Sequence, residues 1–129
     1  MSWRWVNRQA LLLLHAESLA EHGGATGLRD AGLLDSALAP AQILVAYGQG
    51  QPDYVQLAAA YGLGLAKNYA FVDGNKRAAF LATGLFLALN GYRLKSTQAD
   101  ATLTVLALAA GEIDEAAFAT WIREHSVKR

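Results

Sequence analysis

Residues 78–89 read Ala-Ala-Phe-Leu-Ala-Thr-Gly-Leu-Phe-Leu-Ala-Leu, with Thr83 their one polar side chain. A helix through them has no face that prefers water, so other elements must surround it on every side. A bilayer span needs roughly 20 apolar residues. This run is about half that length and follows Asp73, Asn75, Lys76 and Arg77 closely. It therefore reads as the buried central helix of a packed bundle. Gly84 inside the run costs about 1 kcal/mol of helix propensity, which predicts close approach of a neighbouring backbone there.

The elements that surround this helix are marked by the punctuation of the chain. Asn7 caps a predicted helix over residues 8–22, with Leu11, Leu12, Leu14, Ala16 and Leu19 apolar and Gly23-Gly24 as its stop. Asp30 caps a second through Leu33, Leu34, Ala37 and Leu38, bent near Pro40 and resuming to about Tyr47. Residues 48–52 read as loop, and Asp53 opens a third helix from Tyr54 to about Tyr69. The central helix runs from about Asn75 to Asn90. Ser96 and Gly111 bracket a fifth, and Asp114 opens a sixth that ends near His125. Tyr92-Arg93-Leu94 is the one stretch with an extended character. The expected fold is all-α, a compact bundle of about six helices in a single domain over residues 1–129.

Composition limits what such a bundle can do. With 53% hydrophobic and 17% charged residues the chain forms a core. Eleven Lys+Arg balance eleven Asp+Glu, so no overall field draws nucleic acid or an anionic membrane, and neither is expected as a partner. A phosphate ligand would need a local site. The absence of cysteine excludes disulfides, thiol nucleophiles and cysteine-held metals, and fits a reducing compartment. The first residues lack the apolar stretch of a signal peptide, so the expected location is cytoplasmic.

The local site lies just ahead of the central helix, in Asn68-Tyr69-Ala70-Phe71-Val72-Asp73-Gly74-Asn75-Lys76-Arg77. The first amides of a helix have no internal partners and its dipole is positive there, so this end attracts an anion. Gly74 lets backbone approach closely, Asn75 can hydrogen-bond, and Lys76 and Arg77 add charge. Asp73 is a hard oxygen ligand suited to Mg²⁺ bridging phosphate oxygens, so the implied ligand is a magnesium nucleotide. The same residues also admit a plainer reading, in which Asp73 is the N-cap of an ordinary helix and Lys76 and Arg77 are solvated.

Phe71-Val72-Asp73-Gly74-Asn75-Lys76-Arg77 resembles the signature loop of the Fic/Doc family, specifically its death-on-curing branch, whose pattern is His-x-Phe-x-Asp/Asn-Gly/Ala-Asn-Lys-Arg. The turn Gly23–Asp30, the following Gly32–Leu38 and the tail Leu89-Asn90-Gly91-Tyr92 are similar to that branch too, and the resemblance covers roughly residues 10–123. It implies a Fic/Doc helical bundle and the toxin of a toxin–antitoxin system. The implied reaction moves a phosphoryl group from ATP to a hydroxyl of elongation factor Tu and stops translation, with an antitoxin protein as partner. Asp73 is then the magnesium-binding acid, and Gly74 and Asn75 contact phosphate. Lys76 and Arg77 hold the phosphates and stabilise transferring charge. The classical Fic branch transfers AMP instead, with Gly in place of Lys76 and an Arg at the position of Phe80. This chain sides with the kinase-like branch.

One position departs from the pattern. The family's catalytic His, two residues before the signature Phe, is Tyr69 here. That His takes the proton of the attacking hydroxyl, whereas a phenol of ordinary pKa near 10 is about one part in a thousand ionised at pH 7. Loss of a positioned base costs about 10²–10⁴ in rate. The expectation is a toxin inactivated at Tyr69. The alternatives are an inert nucleotide- or antitoxin-binding module, altered chemistry, and nucleotidyl transfer.

The remaining residues have plainer readings. His15 and His22 stand seven apart, the wrong spacing for a metal pair on a helix, and surface or capping roles are expected. Asp30 caps a helix, with a substrate or antitoxin contact for Arg29-Asp30 as the other reading. Trp3 and Trp5 pack on the core, and Glu112, Asp114 and Glu115 belong to a loop and a helix start.

Overall fold

A computed structural model describes residues 2–48 and 50–129. Seven helical segments follow one another: α1 (Arg8–His22), α2 (Ala31–Leu38), α3 (Pro40–Tyr47), α4 (Tyr54–Asn68), α5 (Asn75–Leu89), α6 (Gln98–Ala110) and α7 (Glu115–His125). Strand β1 (Tyr92–Leu94) pairs antiparallel with β2 (Ser126–Lys128). The fold is the expected all-α bundle. The one bent helix expected over residues 31–47 is the pair α2 and α3, because Pro40 has no N–H to continue the first ladder and becomes the first residue of the second. Side chains of Asn7, Asp30, Asp53, Thr97 and Asp114 cap α1, α2, α4, α6 and α7 by accepting from the N3 amide of each. No helix among the described residues is long and apolar enough to cross a membrane.

α4 and α5 pack together at the centre. Residues 78–89 of α5 include no exposed position, and Ala78, Ala79, Ala82, Thr83, Phe86 and Leu87 are fully buried. The Thr83 hydroxyl donates to the Ala79 carbonyl at 2.8 Å, so the one polar side chain of that run is satisfied within its own helix. α4 touches α2, α3, α5, α6 and α7, and along it Gln56 and Lys67 alone are exposed. The expectation for Gly84 is overturned: a Cβ there would meet nothing within 4 Å. Close approach occurs on α4 instead. A Cβ on Gly64 would stand 2.7 Å from the Ala37 carbonyl oxygen, and one on Gly62 would stand 2.5 Å from the Phe118 ring.

Trp3 and Trp5 lean on Phe86 with ring centroids 6.0 and 6.2 Å away, as expected of core-packing residues. The Asn90 amide fixes them by accepting from the Arg4 N–H and donating to the Arg4 carbonyl, both at 2.9 Å. Phe86 thus joins the N-terminal segment to Tyr61 on α4. Phe86→Ala is expected to cost about 3–5 kcal/mol, read as a lower urea midpoint with an unchanged slope. A loss below about 1 kcal/mol would show that the centre repacks around the hole.

Candidate functional site

The segment 69–74 joins the two central helices and is braced along its length by the glycine-rich turn after α1. α4 ends because Tyr69 turns left-handed, φ 51 and ψ 45, the only non-glycine with positive φ among the described residues. Such a conformation costs about 1–2 kcal/mol outside glycine, and neighbouring bonds hold it. The Arg29 Nε–H donates to the Tyr69 carbonyl at 2.7 Å. The N–H groups of Arg29 and Asp30 donate to the Ala70 carbonyl at 2.8 and 3.1 Å, and that of Val72 to Gly27 at 3.1 Å. Leu28 and Phe71 form an antiparallel bridge between the two segments. Arg29 is therefore a brace for the loop, while Asp30 caps α2 as expected, accepting from Leu33 N–H at 3.0 Å.

The loop closes on itself through Asn75. Its Oδ1 accepts from Phe71 N–H at 2.9 Å and its Nδ2 donates to Phe71 O at 3.1 Å. Expected as a phosphate contact, Asn75 spends its side chain on this clamp and offers a phosphate its backbone N–H. Gly74, φ 72, is the N-cap of α5, and no side chain caps this helix. The first internal bond runs from Ala78 N–H to Gly74 O at 2.9 Å. The amides of Asn75, Lys76 and Arg77 consequently have no acceptor among the described residues. Asp73 is not the N-cap of the plainer reading. It is exposed, with Oδ1 accepting from Gly74 N–H at 2.8 Å and Oδ2 from Ala25 N–H at 3.3 Å.

Lys76 and Arg77 make no side-chain hydrogen bond or ion pair among the described residues. With Phe80 they line a cleft of ≈ 210 Å³ between α5 and α6, whose far wall includes Gln98, Thr102 and Val105. No acidic side chain lines it. Tyr69, 55% exposed, and Lys76 border a second, shallower groove of ≈ 470 Å³ against α6. Two cationic residues and three open amides thus belong to the first turn of one helix, groups of the kind that hold a phosphate.

The residues present also fit Mg²⁺ of one kind. No cluster of three His, Cys, Asp or Glu side chains exists among the described residues, so an all-protein cage is not on offer. Mg²⁺ bound to phosphates needs only one or two carboxylates, keeping waters elsewhere. Each Asp73 oxygen accepts one N–H and retains a lone pair for a metal.

His15 is the residue that sequence reasoning missed. Expected at the surface, it is 3% exposed beneath the loop. Its ring stacks on Phe71 with centroids 3.9 Å apart and an interplanar angle of 29°. Nε2 lies 3.0 Å from the Asp73 carbonyl oxygen, 58 residues away in sequence. A carbonyl can only accept, so Nε2 carries the proton. The contact is visible only once the turn after α1 has returned the chain to α5, and no local spacing signals it.

Comparison with known proteins gives a match over this part of the chain. The family model described as Fic/DOC family matches residues 5–87, which include the loop and its brace. A protein described as Toxin Doc, from Mycolicibacterium smegmatis (strain ATCC 700084 / mc(2)155), is 45% identical over 82 residues, 64% of this chain. The matched region spans 62% of that protein's length.

Burial holds the His15 pKa below the ordinary imidazole value of 6.5. The unfolded chain takes up a proton as pH falls through that value, while the folded protein resists until lower pH. The stability due to the neutral ring is thus complete above 6.5 and lost on acidification toward the folded pKa. His15→Gln removes this contribution. The wild type's advantage in Tm over the variant is expected to narrow between about pH 7.5 and pH 5, followed by circular dichroism. A pH-independent difference would mean that the ring is not held neutral.

Proposed function

This chain belongs to the Fic/DOC family, and from that premise we propose that it is the toxin of a toxin–antitoxin pair, disarmed at Tyr69. Its loop binds Mg·ATP for transfer of the γ-phosphate to a hydroxyl of elongation factor Tu, a target that puts its action in the cytoplasm. A cognate antitoxin protein is its partner. The observation that carries the reading is a helix start with three open amides whose first turn carries Lys76 and Arg77, without side-chain partners among the described residues, and is preceded by the Asp73 carboxylate. The likeness to a protein described as Toxin Doc supports the toxin assignment.

In the reaction, the amides of α5 and the Lys76 and Arg77 side chains take the phosphate oxygens and stabilise the charge that spreads over them in transfer. Asp73 would hold Mg²⁺, which would supply positive charge against the negative charge that develops in transfer. Phe80, one turn beyond Lys76, gives the adjoining cleft an apolar wall where a nucleoside fits better than further phosphates. That favours γ-phosphate transfer over AMP transfer. Tyr69 stands where the attacking hydroxyl must lose its proton. A phenol can donate a hydrogen bond there but is a poor acceptor of that proton, so binding and turnover separate.

Titration calorimetry on the unaltered protein is expected to show Mg·ATP binding, and Asp73→Ala to remove its magnesium dependence while leaving the fold intact. Arg77→Ala should weaken triphosphate binding more than adenosine binding. Tyr69→His is expected to raise γ-phosphate labelling of elongation factor Tu by about 10²–10⁴, and its expression without antitoxin to arrest growth. A Tyr69→His protein that binds Mg·ATP yet neither labels the factor nor arrests cells would leave a nucleotide- or antitoxin-binding module. Labelling from the α-phosphate would make it a nucleotidyl transferase, and full-rate labelling by the unaltered protein would clear Tyr69 of disabling it.

A further inference from the structure

We infer that His15 is a positioning residue for the magnesium end of the site, setting the orientation of the Asp73–Gly74 peptide and through it the Asp73 carboxylate. The inference rests on the reading of Asp73 as the metal-holding acid. A trans peptide points its C=O and its N–H in opposite directions. With the Asp73 carbonyl held inward by His15 Nε2–H at 3.0 Å, the Gly74 N–H must point outward, where Asp73 Oδ1 accepts it at 2.8 Å. The side chain that is to carry the metal is therefore located by a backbone group whose own direction is set from the core.

Local sterics alone leave that orientation open. Glycine populates both signs of φ, so the peptide before Gly74 can turn over without steric penalty. The choice between the two orientations then falls to the group beneath. A purely space-filling role would be better served by an apolar side chain, since burying an imidazole against Phe71 removes a polar group from water. The fit is also reciprocal. A Cβ on Gly74 would stand 2.9 Å from His15 Nε2 and 3.0 Å from Leu19 Cδ2, so the ring and the glycine share one space and α5 starts uncapped above them. The second carboxylate oxygen is held from the other side by the Ala25 N–H. That contact fixes the distance to the glycine turn but leaves the peptide free to rotate.

Two variants separate positioning from packing. His15→Phe keeps the aromatic volume and the stack on Phe71 but loses the donor, whereas His15→Gln keeps an N–H at the reach of Nε2. The readout is the ratio of ATP affinities with and without Mg²⁺, taken well below each melting temperature. His15→Phe is expected to lower this ratio by about 10–100-fold, the usual effect of removing the group that orients a metal ligand. His15→Gln should recover most of it. The Gly74 amide resonance in ¹⁵N spectra of the ligand-free protein supplies a second readout. It should shift and exchange faster in His15→Phe and return toward its wild-type position in His15→Gln. A folded His15→Phe protein with unchanged magnesium dependence and an unmoved Gly74 resonance overturns the inference. If the wild type shows no magnesium dependence at all, the metal reading fails, and the Gly74 resonance alone then decides whether His15 orients the peptide.

Discussion

The start of α5 is under two opposing demands. Along its length the helix must be enclosed on all sides, since residues 78–89 offer water no face. At its first turn it must remain open, since the amides of Asn75, Lys76 and Arg77 have no acceptor among the described residues. An open helix start in a buried setting costs about 1–3 kcal/mol for each unsatisfied group, so the surrounding structure has to bring that end to solvent. The loop 69–74 does this. It emerges from the core at Ala70 and Phe71, exposes Val72 and Asp73, and returns at Ala78.

The brace from the glycine turn explains how so short a loop keeps one conformation. Three backbone bonds and the Arg29 side chain tie residues 69–72 to residues 27–30, a strand-like pairing too short to build a sheet. Asn75 ties the other end back to Phe71, and the His15 ring supports the middle from below. The loop is thereby tied at several points, partly to the glycine turn and α1 and partly to its own residues. Lys76 and Arg77 make no side-chain hydrogen bond or ion pair among the described residues, so no acid among these neutralises their charge.

Much of this was legible in the sequence where the cause is local. Asn7, Asp30, Asp53 and Asp114 cap the helices predicted from them, because a cap acts on an amide three residues ahead. The all-α fold follows from residues adjacent in sequence, as does the helix start at Asn75. What escaped is what depends on distant partners. His15 looks like an ordinary helical surface residue until the chain returns 58 positions later. Strand β2 has no periodicity of its own in three residues and exists because β1 offers it an edge. Gly84 was misread since a glycine in an apolar helix implies contact only where a neighbour approaches, and the neighbours approach Gly62 and Gly64.

The structural part played by Tyr69 belongs to its backbone. Its left-handed conformation ends α4, and its carbonyl is the acceptor that Arg29 engages. Tyr69 is 55% exposed, and its phenol makes no hydrogen bond among the described residues. A side chain in that setting can change between imidazole and phenol with little effect on packing, because the fold reads only the main chain there. Residues whose side chains shape the loop, such as Asn75 and His15, have no such freedom. The open amides at the start of α5 and the Tyr69 phenol are thus built from different atoms, so a change of side chain at position 69 leaves the helix start as it is.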